Sequence, residues 1–541
     1  MELLAVAVLG LICIAFATLA GPRLGIAAPL LLVALGVAAS LVPGVPEIVI
    51  EPEIILAGIL PPLLYAAAVS IPATDFRREI RSISGLSVVL VIISTVVLGF
   101  LFQAVIPGMT LPWAFALGAI VSPTDAVATG IIRRLGINPR VVTVLEGESM
   151  LNDAVALVLV RASVGAAAVA VSLWGVTLQL VYSMAVAAAI GWAIGRLNLW
   201  VRGRISDPVV TTVISFTVPF VASIPAELLN SSGLVAAVVA GLVTGAGAAR
   251  ALAPQQRVSD RTTWKAIEMV LEGAVYLIMG LEIVGVVNEV RDKHQGVTSA
   301  LWIAALALAA TLLVRAAFVG PLVWQLHRRA LRAERMQPKI EKFRERVDSV
   351  PHTAAIPLPP RRGKWRMRRA SRDEMRQRLT RLSADIAHMI EQPLGWREGT
   401  VIVWAGMRGV VTIAAVQTLP HDAPSRAMLV LIAFLVAVAS LGIQGGTMGL
   451  VMRWLKPDPG PTPEQLEGER HELAELLNEA TAELRARLST ASKEDRVAAG
   501  LELVKATREA LLDIRDLGTF SAAALEDQLR RLDADQMRLE L

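Results

Sequence analysis

Cysteine is almost absent: Cys13 is the only one in 541 residues, so no intrachain disulfide can form and no cysteine-based metal site is expected. Histidine is scarce too. His294, His327, His352, His388, His421 and His471 fall in loops, at span ends or in the tail, which leaves no imidazole for chemistry at mid-membrane. Aromatic residues make up 5% of the chain and charged residues 18%. Hydrocarbon fills the space instead, at 54% of residues, and that composition over such a length marks an all-α polytopic membrane protein. The apolar stretch 3–20 lacks the basic leader of a signal peptide and follows Glu2, so it reads as a retained first span.

Apolar windows of roughly 20 residues, enough to cross about 30 Å of hydrocarbon, recur along the chain. They cover 3–20, 24–43, 53–71, 84–106, 113–131, 141–163 and 174–199. Six more follow at 209–226, 233–250, 266–287, 299–325, 398–420 and 427–453, making thirteen expected spans. Loops after odd-numbered spans are basic, with Arg77, Arg78 and Arg81, Arg133, Arg134 and Arg140, Arg202 and Arg204, and Arg257, Arg261 and Lys265 among their residues. Loops after even-numbered spans are acidic or uncharged, with Glu47 and Glu51, an uncharged 107–112, and Glu227. The positive-inside rule therefore places the N-terminus outside and the C-terminus in the cytoplasm of a cell-membrane protein. The expected domains are spans one to eleven in 1–325, a basic cytoplasmic loop at 326–397, spans twelve and thirteen in 398–455, and a helical cytoplasmic tail at 457–541. The 326–397 segment is interrupted at Pro351, Pro357, Pro359 and Pro360 and reads as a solvated loop drawn to anionic lipid head groups. The net charge is only +5 and no basic–aromatic recognition pattern occurs, so nucleic acid is not an expected partner.

Against this background the sixth span is anomalous. It carries Glu146, Glu148 and Asp153 within eight residues, and a charge at the bilayer centre costs about 2.5–3.5 kcal/mol even on lenient insertion scales. Such groups must face a partner, a cation or a water-filled pocket, so an ion pathway is the leading expectation. Glu148 and Asn152 share one helical face, and Ser149 and Asp153 the adjoining one. The second pair sets a hydroxyl and a carboxylate at one point, the oxygen ligands that hard cations favour.

One span earlier stands Ser122-Pro123-Thr124-Asp125. Proline removes a backbone donor and breaks the helix, and unwound backbone in a membrane survives only beside a cavity or inside protein. Thr124 and Asp125 are expected beside a binding site, with Asp125 also able to cap the following half-helix. The twelfth span holds Gly406-Met407-Arg408-Gly409, and a mid-membrane arginine needs a carboxylate; the expected bidentate partner is Glu148. The thirteenth span holds Gly442-Ile443-Gln444-Gly445-Gly446-Thr447, a second candidate interruption. Paired broken helices are the signature of inverted repeats meeting at a midplane site.

Taken together, Thr124-Asp125, Gly147-Glu148-Ser149, Asn152-Asp153, Gly406-Met407-Arg408-Gly409 and Gln444-Gly445 resemble the monovalent cation–proton antiporters. Within them the chain is most similar to the NhaP-type group, relatives of animal sodium–proton exchangers. The resemblance runs from the first span to the thirteenth and stops before the tail. It implies a homodimer of thirteen-span protomers with two broken crossing helices. It also implies that Asp153 takes the sodium ion or the proton, assisted by Thr124, Asp125, Ser149 and Asn152, and that Glu148–Arg408 is a structural pair. Pro123, Gln444 and Gly445 would support the broken helices. One departure stands out: many relatives carry a carboxylate after a Pro-Pro-Leu-Leu-like run, whereas Pro61-Pro62-Leu63-Leu64 is followed here by Tyr65 and Ala66.

The expected function is secondary transport, sodium or lithium against protons, with no cofactor. Asn152 stands where charge-moving relatives have a second aspartate, so exchange is expected to be one-for-one and electroneutral. Potassium–proton exchange by the same mechanism is the alternative. A channel would repeat filter residues around an axis, and no such repeat occurs. An intramembrane hydrolase is remote, because Ser149 has no histidine base, although an aspartyl mechanism with Asp125 and Asp153 is geometrically conceivable. Arg161 is expected to snorkel, Glu272 and Glu282 to line an entrance or to pack, and Glu146 to attract cations or compete with Glu148 for Arg408. Arg315 is central and needs a partner that spacing does not name.

Overall fold

The computed structural model describes residues 2–24, 27–42, 51, 53–125, 127–168, 173–292, 296–349, 356–357, 369–370, 372–420, 423–490 and 495–540. Glu47, His294, His352 and His421 lie outside the described residues, as do Pro351, Pro359 and Pro360. The chain divides into two compact units, Met1–Gly320 with Arg397–Asp458, and Pro321–Trp396 with Pro459–Leu541.

The first unit is built from α1 (Glu2–Leu24), α2 (Ala28–Ser40), α3 (Leu60–Ser70), α4 (Ala73–Ser84), α5 (Val91–Val105), α6 (Leu111–Val121) and α7 (Val127–Arg134). It continues with α8 (Pro139–Ala168), α9 (Leu173–Arg202), α10 (Pro208–Leu228), α11 (Gly233–Ala251), α12 (Pro254–Asp292) and the first part of α13 (Val297–Asp348). Among the described residues, eight helical stretches are long and apolar enough to cross a membrane, and four shorter apolar ones accompany them.

Local chemistry sets several boundaries. Asp207 caps α10 by accepting from Val209 N at 2.7 Å and Val210 N at 3.2 Å, with Pro208 at the first helical position, where its missing N–H does no harm. In hydrocarbon, helices associate through close packing and not through water exclusion, and small residues permit it. Gly36 of α2 shows this: a Cβ there would lie 2.4 Å from Leu277 O and 2.8 Å from Gly280 Cα of α12.

After α13 the second unit has a two-stranded antiparallel pair, β1 (Ile356–Pro357) and β2 (Arg369–Ala370), then α14 (Arg372–Glu391). Here the structure departs from the solvated loop read at 326–397. The helix of the eleventh expected span, α13, does not stop near 325 but runs on to Asp348. Its Ala333, Ile340 and Val347, seven residues apart, pack with Met375, Leu379 and Ile386 of α14. That spacing is the seam of a helical hairpin, and the density of arginine around it masked the pattern.

The first unit resumes with α15 (Trp396–Trp404), α16 (Val410–Gln417), α17 (Arg426–Ser440) and α18 (Gly446–Leu455). The second closes with α19 (Pro463–Ala480), α20 (Ala482–Thr490), α21 (Arg496–Leu517) and α22 (Ala522–Glu540). Thr462 and Gln465 form a capping box on α19. Leu473, Leu477, Val504, Leu511, Phe520, Leu525 and Leu532 give the tail a core of its own.

Candidate functional site

The helix broken at Pro123 is a break in fact: α6 ends at Val121, residues 122–125 are unwound, and α7 starts at Val127. The second break is not at 442–447. Those residues continue from α17 to α18 through one π-helical turn, Leu441–Gly445, because glycine permits a break but only a missing donor or a competing partner enforces one. The second break is at 405–409, between α15 and α16. The two unwound segments touch, with Asp125 N donating to Met407 O at 2.7 Å.

Four half-helix ends meet there, and two charged side chains settle them. Asp125 accepts from Val127 N at 3.4 Å and Val410 N at 3.2 Å, the first amides of α7 and α16. The Tyr276 hydroxyl of α12 also donates to it. An anion belongs at helix N-termini, where the dipole is positive. Arg408 does the converse. Its Nε donates to Val121 O at 3.2 Å and its Nη1 to Gly406 O, so a cation sits where α6 and α15 end. The expected Glu148–Arg408 pair is therefore not formed.

Glu148 pairs instead with Arg315 of α13. Arg315 Nη1 and Nη2 bind Glu148 Oε1 and Oε2, the second at 2.8 Å. Arg315 Nε donates to Ile402 O at 2.9 Å. The guanidinium reaches this position because residue 406 is glycine: a Cβ there would lie 2.5 Å from Arg315 Nε. The Thr124 hydroxyl donates to Glu148 Oε1 at 3.0 Å. Asn152 Nδ2 bridges to Thr124, at 2.8 Å to the hydroxyl and 3.2 Å to the carbonyl. Glu148 and Asn152, four residues apart on one face of α8, thus hold the unwound Thr124 in place.

Gln444 acts as a strut. Its Nε2 donates to Trp404 O, the end of α15, at 2.9 Å. Its Oε1 accepts from the Ser440 hydroxyl, which itself accepts from Arg408 N at 3.0 Å. Gly445 gives the break no such support. It has ordinary helical φ and ψ of −66° and −46°, and a Cβ there would be 3.7 Å from the nearest atom, Met407 Sδ.

Asp153 faces the crossing from the adjoining face of α8. Only 7% exposed, it lines a small cavity of about 10 Å³, room for about one water-sized occupant, with Pro123, Thr124, Asp125, Gly409, Val411 and Thr412. Among the described residues Asp153 makes no hydrogen bond or ion pair. Ser149 is not among the lining residues, and its hydroxyl turns back to Glu146 O at 3.1 Å. Gly409 is required by space: a Cβ would fall 1.4 Å from Asp125 Oδ2. Elsewhere, Glu146 pairs with Arg133 and does not reach Arg408. Arg161 lies 3.5 Å from Glu227. Glu282 accepts from Gln417 Nε2 at 2.9 Å, while Glu272 is half-buried on α12.

Sequence reasoning missed Tyr276 and Thr412. A signal for the first was available, since the chain has only three tyrosines and this one sits inside an apolar span. For Thr412, inside the apolar run 410–416, none was.

Compared with known proteins, residues 8–454 match the family model described as "Sodium/hydrogen exchanger, transmembrane". An uncharacterized Na(+)/H(+) exchanger of Escherichia coli is 34% identical over 247 residues, a match covering 44% of this chain and 45% of that protein's length. A Na(+)/H(+) antiporter of Aphanothece halophytica is 25% identical over 411 residues, covering 75% of this chain and 65% of that one. Among solved structures, a sodium proton antiporter from Methanocaldococcus jannaschii superposes with a TM-score of 0.58 at 16% identity, over 84% of this chain and 99% of that one. At that identity the likeness shows the fold alone.

Proposed function

This chain belongs to the sodium/hydrogen exchanger family, a family of transporters and not of enzymes, and from that premise we propose that it exchanges sodium for protons one-for-one at Asp153. The observation that carries the reading is the state of that carboxylate: buried, lining a cavity at the helix crossing, and without a hydrogen bond or ion pair among the described residues. Three other charges at the crossing are engaged. Glu148 is neutralised by Arg315, Asp125 caps two helix starts, and Arg408 caps the end of α6 and binds the Gly406 carbonyl of the second unwound segment.

Coupling follows from electrostatics. Asp153 is neutral with a proton or with a monovalent cation bound, and charged when empty. Moving an uncompensated carboxylate through a low-dielectric barrier is penalised by several kcal/mol, so only the loaded forms change sides. One shared acid cannot hold both cargoes, so their fluxes are locked together. Asn152 is bonded to Thr124 and has no proton to exchange, which supports a stoichiometry of one charge for one charge. Asp125 and Thr124, with its remaining lone pair, would supply further oxygens to sodium or lithium, whereas Ser149 would have to turn away from Glu146 O to do so. The working unit of this reading is a homodimer in the cell membrane, C-terminus in the cytoplasm, an orientation that rests on the basic loops. The arginines of 326–397 would lie against anionic lipid.

The test is sodium-driven proton movement in proteoliposomes. Asp153→Asn should reduce it to the protein-free background, and retained exchange would refute the assignment. If an imposed membrane potential alters the rate or the final gradient, a second charge travels with the ions and the one-for-one stoichiometry fails.

A further inference from the structure

We infer that Thr412 is an uncharged oxygen ligand of the transported cation and sets its affinity, a role that rests on Asp153 being the exchange site. Three hydroxyls belong to residues on or beside the Asp153 face, and two are committed. Thr124 donates to Glu148 and accepts from Asn152, and Ser149 donates to the Glu146 carbonyl. Thr412 is different. It lines the same cavity as Asp125 and Asp153 and is 1% exposed, yet its Oγ1 has no hydrogen-bond partner among the described residues.

The position in the fold accounts for this. A buried helical threonine usually turns its hydroxyl back on a carbonyl three or four residues earlier, as Thr311 does to Leu308 O at 2.8 Å and Thr507 to Leu503 O at 2.7 Å. Thr412 is the third residue of α16, so its corresponding carbonyls are those of Gly409 and Arg408, which lie in the unwound segment. The break thus takes away the usual acceptor and leaves a buried oxygen at the cavity wall. A buried hydroxyl without a partner is unfavourable, and a cation held at Asp153 would compensate it.

Chemistry then predicts an asymmetry between the two cargoes. A dehydrated alkali ion needs several oxygens around it, whereas a proton needs only the carboxylate. An oxygen from α16 adds to the cation's shell without adding charge, so electroneutral exchange is kept. It also brings a side-chain ligand from the second broken helix to a site whose other side-chain oxygens come from α8 and the first.

The experiment measures proton flux against sodium concentration in proteoliposomes for the full chain, Thr412→Val, Thr412→Ser and Asp153→Asn. Thr412→Val, which keeps shape and removes the oxygen, should raise the sodium KM about tenfold while the maximal rate stays within about twofold. Thr412→Ser should restore the KM. An unchanged KM in Thr412→Val, a loss of maximal rate alone, or a serine variant as impaired as valine would each overturn the inference. If the valine protein does not accumulate, Thr412→Ala is read by the same split. Asp153→Asn separates the two levels. Exchange surviving in it defeats the site itself, whereas its loss beside a wild-type KM in Thr412→Val defeats only the role of Thr412.

Discussion

Arg315 and Arg408 are equally buried, each 2% exposed, but one neutralises a carboxylate and the other caps carbonyls. Breaking a buried pair by removing one partner costs about 3–5 kcal/mol, while replacing both with apolar residues of similar volume is often neutral. Glu148→Leu and Arg315→Met should therefore each lower the apparent melting temperature markedly, and the double variant should regain most of the loss. Combining Glu148→Leu with Arg408→Met should give no such recovery, because Gly406 O and Val121 O then lose a donor as well. Recovery in the second double variant would put the pair back where sequence spacing alone had placed it. That spacing failed for a definite reason. Helical periodicity orders residues within one helix, so it set Glu148 with Asn152 and Ser149 with Asp153, but it is blind to which helix stands opposite. Arg315 is 167 residues from Glu148. The residues marked by chemistry, Asp125, Thr124 and Asp153, do converge on one cavity, since polar groups in an apolar chain have few places to go. The destination of the Ser149 hydroxyl depended on a local backbone acceptor that no pattern reveals.

At the scale of elements, four glycines in the twelfth and thirteenth spans look alike in sequence and differ in the fold. Gly406 and Gly409 lie in the unwound segment, where a Cβ would strike Arg315 and Asp125 respectively. Gly442 has nothing within 4 Å of its would-be Cβ, and Gly445 only Met407 Sδ at 3.7 Å. Alanine at 442 or 445 should thus leave sodium-driven flux intact and raise helix stability by up to about 1 kcal/mol. Alanine at 409 should abolish flux, since Asp125 cannot keep its bonds to Val410 N and Tyr276 with a methyl in their place. Loss of transport in Gly445→Ala with normal transport in Gly409→Ala would return the functional break to the thirteenth span. The break at Pro123 was legible because proline removes a donor outright. The break at 405–409 has no proline. It depends on Arg408 within the segment, and on Gln444 and Ser440 from the thirteenth span, offering alternative partners to backbone groups.

At the scale of the molecule, every residue assigned to the site belongs to the first unit, and the tail helices close on their own apolar core. Asp458 marks how much of the C-terminal chain the site needs. Its carbonyl accepts from Asn138 N at 3.1 Å, at the start of α8, and its amide donates to Glu398 Oε1 at 3.0 Å, at the start of α15. Asp458, three residues past the end of α18, therefore ties the helix bearing Asp153 to the helix leading into the second break. Two hydrogen bonds at about 1 kcal/mol each are a modest sum, but they act where the relative position of those helices determines the cavity. A chain ending at Gly460 should exchange sodium for protons within about twofold of the full-length rate. A chain ending at Leu455, without the tie, should lose more than that and melt earlier. In the full chain Glu398→Ala removes one bond of the tie without the truncation and should lower the rate, whereas Glu398→Gln, whose carboxamide oxygen still accepts from the amide, should preserve most of it. If the two truncated chains behave identically, Asp458 is a passive neighbour, and the α8–α15 register is held entirely by the contacts of Thr124, Asn152 and Arg315.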